Sequence, residues 1–236
     1  MRPAASACTT LKFSKGVPPF HLVKSGARRS SFVVPPSPHP ILLPIDQLRP
    51  TQVTVGMRAV AAKRERVATR AAKRKKITRF LEKRPIPAVL GPGDGVYIID
   101  HHHLSLALLQ SEVPAAFVQV VSDFSSLGDA AFWRRMMSTG WMHPYDETGR
   151  RVRPHELPSA ISSLRNDPYR DLAWSVREEG GYRKSPAPYA EFKWAQYFRE
   201  QIPLVKLLRD YDRALETALT LARSPAAAGL PGFRAA

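Results

Sequence analysis

The stretch Val96-Tyr97-Ile98-Ile99-Asp100-His101-His102-His103-Leu104-Ser105-Leu106-Ala107-Leu108-Leu109 decides how this chain is read. Its first four residues are a short apolar run rich in β-branched and aromatic side chains, the pattern of a buried strand. Leu104 to Leu109 then continue as a short amphipathic helix, and the polar box Asp100 to His103 lies between the two. At such a turn the first N–H groups of the helix lack an intrahelical partner and carry partial positive charge, which suits a phosphate. The three histidines mean different things in different backbones. On a helix they point about 100° apart and cannot converge on one ion. In extended chain His101 and His103 share a face and could hold one metal, whose identity the sequence leaves unknown. Asp100 reads equally well as an ordinary N-cap for the following helix.

Working outward, Ala88-Val89-Leu90 predicts a strand, and Gly91-Pro92-Gly93-Asp94-Gly95 predicts the turn that pairs it with Val96 to Ile99 as a hairpin. Ile41 to Ile45 with Leu48 predicts the first strand, leading to Arg49-Pro50-Thr51-Gln52. From Gly56 the chain reads as one basic helix through Arg84, which Pro85 and Pro87 end. Past Pro114, Ala116 to Val121 predicts another strand. Downstream come helices at 127–137, 158–164, 172–178 and 190–201, and a last one from Pro203 whose face is Leu204, Leu208, Tyr211, Leu215 and Leu219. The expected class is α/β of the α+β type, a small mixed sheet with helices packed on it. The expected organisation is a basic, Pro/Ser-rich arm over 1–40, a core over 41–121, a helical extension over 122–223 and a loose tail over 224–236. The arm has the Arg-rich, acid-poor composition of a transit peptide without a secretory apolar segment. A cytoplasmic location is expected.

The order strand, Leu48-Arg49-Pro50-Thr51-Gln52, basic helix, Val89-Leu90-Gly91-Pro92-Gly93, strand and Asp-His-His-His box resembles the core shared by ParB-type partition proteins, sulfiredoxins and the free-serine kinases. It is closer still to ParB-like proteins assigned a nuclease role, and that resemblance extends almost to Arg199. The likeness implies a ParB/sulfiredoxin-like core and a polar box that binds nucleotide phosphates or supplies a catalytic acid. Carried over residue by residue, Asp100 takes the place of a functional aspartate, and His101, His102 and His103 line a phosphate pocket. The serine kinases set a catalytic glutamate near the end of the first strand, where this chain has Thr51-Gln52. An amide can position a phosphate but cannot act as a base at neutral pH. Glu191, on the run Tyr189-Ala190-Glu191-Phe192 that continues the family-like pattern, is the candidate for the missing carboxylate. Arg199 lies eight residues on, across two helical turns. Lys63 on the basic helix and Lys184 after Gly180-Gly181 are candidate phosphate contacts.

Charge points the same way. Of 36 Lys and Arg against 20 Asp and Glu, thirteen and two respectively fall within residues 47–84. A concentrated basic surface favours phosphate-rich partners, although a solvated helix face has the same composition. The single Cys8 excludes a disulfide framework and a cysteine-based zinc site. No apolar run reaches the roughly 18 residues of a membrane span, and neither a Walker loop nor a Gly-x-Ser-x-Gly elbow is present. The missing first-strand carboxylate permits a structural or interaction protein that keeps the fold without the chemistry, and two further functions stand beside it. One is an enzyme that binds ATP, ADP or CTP, with Mg²⁺ as a metal partner, or another phosphate ester, and cleaves or transfers a P–O bond as a nuclease, nucleotidase or kinase-like phosphotransferase. The other is a non-catalytic DNA- or RNA-binding protein that uses the basic helix over 58–84. Oligomeric state is left open.

Overall fold

The structure, a computed structural model, describes residues 39–235. The expected arm over 1–40 and its Cys8 therefore lie almost wholly outside the described residues. Strands β1 (Ile41–Pro44), β2 (Leu48–Pro50) and β3 (Thr54–Val55) come first, with a 3₁₀ turn over Ile45–Gln47 between the first two. Helices α1 (Met57–Ala71) and α2 (Arg74–Glu82) precede the hairpin β4 (Ile86–Gly91) and β5 (Gly95–Ile98). Helix α3 (His102–Gln110), strand β6 (Ala115–Asp123) and helix α4 (Asp129–Ser138) complete the core. The remainder is β7 (Arg165–Asn166), α5 (Pro168–Glu178), α6 (Ala190–Gln201), α7 (Leu204–Arg209) and α8 (Tyr211–Ala222).

The five-stranded sheet has the order β1-β6-β4-β5-β2. Pairs β1/β6 and β4/β5 are antiparallel, while β4/β6 and β2/β5 are parallel, so the sheet is mixed. What reads as one first strand is two, and they occupy opposite edges. Four residues span at most about 14 Å, whereas the edges of a flat five-stranded sheet stand about 19 Å apart. The sheet therefore curls, and buried Ile45 turns the chain across the gap. Central β4 and β5 are covered on both faces, which explains their unbroken apolar sequences. On one face α1 and α3 pack over Val60, Val67, Leu104 and Leu108. On the other, Phe132 and Met136 of α4 meet Val89 and Tyr97. A Cβ on Gly91 would sit 2.7 Å from Phe132, so only glycine lets the hairpin approach α4 this closely.

The C-terminal helices form a layer with its own apolar centre, Trp194, Phe198, Leu172 and Val176. Two features join this layer to the core. Strand β3 pairs in parallel with β7, and α1 packs on α5.

Four expectations need correction. The basic helix breaks at Ala72 and Lys73 into α1 and α2, where the polar run leaves too little apolar face to hold one straight helix. Residues 158–164 form only a 3₁₀ turn at Ile161–Ser163. The last helix is interrupted at Asp210, whose side chain accepts from Arg213 N and so starts α8 anew. That restart rotates the buried face onto Leu207, Ala214, Ala218 and Ala222, leaving Leu204 and Leu208 exposed. The segment after Ser224 is not loose among the described residues. Trp194 donates to Pro231 O at 2.8 Å, and Ala227 is fully buried.

Candidate functional site

Strand β5 hands the chain to α3 through a left-handed residue, His101, with φ 64° and ψ 22°. Asp100 is exposed and does not cap α3. Its Oδ1 accepts from the adjacent His101 N at 2.6 Å, and no side chain caps the helix. The left-handed residue turns Asp100 away from the first-turn amides, which corrects its expected N-cap role. Helix α3 begins two residues earlier than expected and takes in His102 and His103.

Those two histidines are committed to backbone. His102 Nε2 accepts from Thr51 N at 3.2 Å, and His103 Nε2 accepts from Gly56 N at 3.0 Å. An acceptor nitrogen is an unprotonated one. Burial, reinforced by the charge of Arg170, pushes His102 down to about 3 and holds His103 well below the ordinary imidazole value. Together they pin the loop over 51–56 against α3. Thr51 adds a bond from Oγ1 to Ile98 O at 2.8 Å, and Gln52 turns inward to Thr54 O at 2.6 Å. Thr51, Gln52, His102 and His103 thus each commit one side-chain polar atom to backbone and form the scaffold of the turn. His101 differs from its neighbours. Its Nδ1 has no partner, and burial lowers its pKa against the opposing pull of Asp100, with Lys63, Lys184 and Arg84 adding to the lowering.

Besides Arg84, the described cations that act on this turn include Lys63, Lys184, Arg170 and Arg177. Lys63 comes from α1, half-buried, its pKa lowered by burial and then by Arg66 and Arg177, while Asp100 raises it. Lys184 lies in the loop after α5 and shares the electrostatic surroundings of Lys63 and His101. Arg170 and Arg177 sit on α5. Arg170 is 4% exposed, and its Nε and Nη1 have no hydrogen-bond partner. Burial lowers it to about 10, against the charges of Asp167, Tyr182, Asp171 and Asp100, so it stays cationic at neutral pH. Among the described residues its one ion pair is with Glu191 at 3.9 Å, and Phe192 covers its face at 3.5 Å from the ring centroid.

Glu191 does not face open solvent. It pairs with Arg177 as well as with Arg170, the two arginines whose charges reach the box. Lys63 and Lys184 therefore act electrostatically on His101, and Lys63 on Asp100, while Glu191 is tied to Arg170 and Arg177. The structure does not bring Arg199 to the turn. That guanidinium binds Asp167 Oδ2 at 2.7 Å and Glu147 O at 3.3 Å, away on a second cavity. Sequence reasoning passed over Arg170 and Arg177. Seven residues apart on α5, they flank the buried Leu172, Ala173 and Val176, and a cation at the edge of so apolar a stripe was the available signal. Among the described residues no group of three or more His, Cys, Asp or Glu is arranged to hold a metal ion.

Comparison with known proteins bears on these residues. Residues 41–200 match the model of a family described as "Putative ParB-like nuclease". The chain belongs to this family. The ParB-like match includes the turn, the basic helices, α5 and Glu191 of α6. The chain is also similar to a solved structure, the crystal structure of protein Atu1540 from Agrobacterium tumefaciens. Identity is 38% and the TM-score 0.75, over 84% of this chain and 100% of the other. No curated protein matches. Among the described residues no helix is long and apolar enough to cross a membrane.

Proposed function

We propose that this ParB-like protein binds the phosphate group of a nucleotide or nucleic acid at the Asp100 turn and cleaves or transfers a P–O bond there. The observation that carries this reading is Arg170. A guanidinium this deeply buried is costly to leave with two unpaired nitrogens and one distant carboxylate. A phosphate oxygen pair matches the guanidinium fork better than the 3.9 Å approach of Glu191 does. The incoming anion takes the place of Glu191 on Arg170 and Arg177, with Lys63 and Lys184 on its other side. Glu191 is thereby released beside the anion as a second carboxylate.

Asp100 is the exposed carboxylate at the turn, and among the described residues only its Oδ1 is hydrogen-bonded. For hydrolysis it accepts the proton of an attacking water. The water oxygen forms the new P–O bond, the ester P–O bond breaks, and the leaving oxygen collects a proton at the rim of the site. Neutral His101 beside it can donate or accept. Mg²⁺ accompanying ATP, ADP or CTP would find in Asp100 one carboxylate ligand and take its other ligands from phosphate and water. The family name and the exposed charges of α1 and α2 favour a nuclease over a nucleotidase or kinase-like phosphotransferase. Arg66 neighbours Lys63 and Arg84 neighbours His101, so basic surface continues from the turn onto both helices.

The test is a thermal-shift screen with ATP, ADP and CTP, each with and without Mg²⁺ or Mn²⁺, alongside turnover of a single-stranded oligonucleotide and a nitrophenyl phosphodiester. A ligand at 100 times its Kd stabilises by about 2.7 kcal/mol. Asp100→Asn should lower turnover by about 10²–10⁴-fold with the fold intact. Glu191→Gln should lower turnover while leaving anion binding in place. Turnover unchanged in Asp100→Asn would remove the catalytic reading. Absence of any anion-dependent shift would remove the site itself.

A further inference from the structure

A second cavity, of about 660 Å³, lies between the turn over residues 143–149 and helix α6. Its walls are rings. His143 stacks on Phe192 at 3.5 Å with 23° between planes, and Tyr145 and Tyr189 flank the imidazole at 5.3 and 5.2 Å. Tyr197 lines the same space. Burial, with the charges of Arg170 and Arg199, pushes His143 down to about 3, so the imidazole is neutral. Most charges on the wall are spoken for. Arg199 is held by Asp167 at 2.7 Å and Asp146 by Arg150 at 3.0 Å. Glu200 accepts from Gln196 at 2.8 Å.

Such a cavity is poorly made for a phosphate, because its buried guanidinium is already matched by a carboxylate. It is well made for a flat, uncharged ring with hydrogen-bonding edges. We propose that it binds the base of a nucleoside, stacked among His143, Tyr145 and Tyr189. Ring stacking supplies affinity for any base, and the side-chain amide of exposed Gln196 and the hydroxyl of Tyr145 on the cavity wall favour a heterocycle with polar edges over a plain aromatic ring. Phe192 is the wall between this cavity and the phosphate turn, with His143 on one face and Arg170 on the other, each 3.5 Å away. The inference rests on the cavity alone and does not need the phosphate reading to hold.

The experiment titrates the full chain with adenosine, guanosine, cytidine and uridine, with indole, and separately with inorganic pyrophosphate. It is repeated on Tyr145→Ala and Gln196→Trp. Tyr145 is 42% exposed and Gln196 is exposed at the cavity, so neither change should unfold the protein. At least one nucleoside should bind the wild type more tightly than indole, and its affinity should fall about tenfold in each variant, the loss of one stacked ring or of access. Pyrophosphate, which reports on the Asp100 turn, should bind all three proteins alike. The proposal is overturned if no nucleoside binds at millimolar concentration, if both variants bind nucleosides as the wild type does, or if indole binds equally well. Failure of pyrophosphate alone would count against the phosphate site and leave this one standing.

Discussion

Two regions of this protein handle ionisable side chains in opposite ways. The basic surface of α1 and α2 presents Lys73, Lys75 and Lys76 to solvent around the helix break. The seam between the sheet core and the helical layer instead buries His102, His103, Arg170 and Asp171. Exposed charges are screened and individually weak, whereas buried ones must find partners or shift their pKa. In the seam the partners come from distant parts of the chain. Helix α1 has no cap of its own at Gly56. Its first amides are taken by Asn166 Oδ1 from Met57 N at 3.1 Å, and by Asp171 Oδ1 from Arg58 N at 2.6 Å. A Cβ on Gly56 would lie 2.7 Å from that same carboxylate oxygen, so glycine is what admits it. The lesson is that the exposed charges leave the fold to others, while the charges in the seam hold the two layers together.

The contrast can be broken first with acid. Folded-state values of about 3 for His102 and His143 lie below the ordinary imidazole value, so the unfolded chain binds more protons. Their stabilisation is complete above about pH 6.5 and is lost as pH falls toward 3. Asp171, raised to about 6 by burial, works in the opposite direction, adding stability as pH falls from 6 toward 4. The histidines dominate, and stability should fall by roughly 3 kcal/mol between pH 7 and pH 5. Urea midpoints at the two values measure this. A midpoint that is level or higher at pH 5 would mean that the imidazoles are not buried neutral.

A second and sharper separation uses Arg170→Met. Removing a buried charge that lacks good partners should leave stability within about 1 kcal/mol or raise it. Anion binding should meanwhile weaken by about 100-fold, the size expected for a lost guanidinium clamp. Marked destabilisation with binding intact would make Arg170 a structural residue. Next in size, Asp171→Ala removes the carboxylate that caps α1 and should cost about 2 kcal/mol. Calorimetric unfolding would check it, and a change under 0.5 kcal/mol would show that water replaces the cap.

The smallest effect on the fold belongs to the basic surface. Lys73, Arg74, Lys75 and Lys76 changed together to Glu should leave the unfolding midpoint nearly unchanged, since exposed charges contribute little each. Single-stranded nucleic-acid affinity should drop, and its dependence on salt should flatten as phosphate contacts are removed. Unchanged affinity at low salt would assign this surface to solubility alone.

How legible each region was follows from where its information resides. Strand, hairpin and box were readable because alternation, glycine-rich turns and apolar runs are local patterns. Helix α6 was readable end to end for the same reason. Glu191 emerged as a candidate from resemblance, Lys63 from the basic helix and Lys184 from the Gly180-Gly181 pair, and nothing local showed that Lys63 and Lys184 both act on His101. Arg170 stayed hidden because an arginine among apolar helix residues reads as a snorkelling surface cation until its burial is known. The packed tail was missed because Ala, Pro and Gly carry no periodicity, while what holds the tail is a bond from Trp194, far away in sequence.

By itself the sequence determined the class of fold, the concentration of positive charge on one segment, and the polar box at the end of a buried strand. These depend on residue type and on spacings of a few positions, which the local backbone reads directly. Only the tertiary structure decided the rest. It split the first strand across two edges of a curled sheet. It made His102 and His103 backbone pins and left His101 and Asp100 at the turn. It drew Arg170 and Arg177 from the helical layer to that turn and paired both with Glu191. Burial, pairing and pKa depend on what arrives from elsewhere in the chain, and that information is not carried by any short stretch of it.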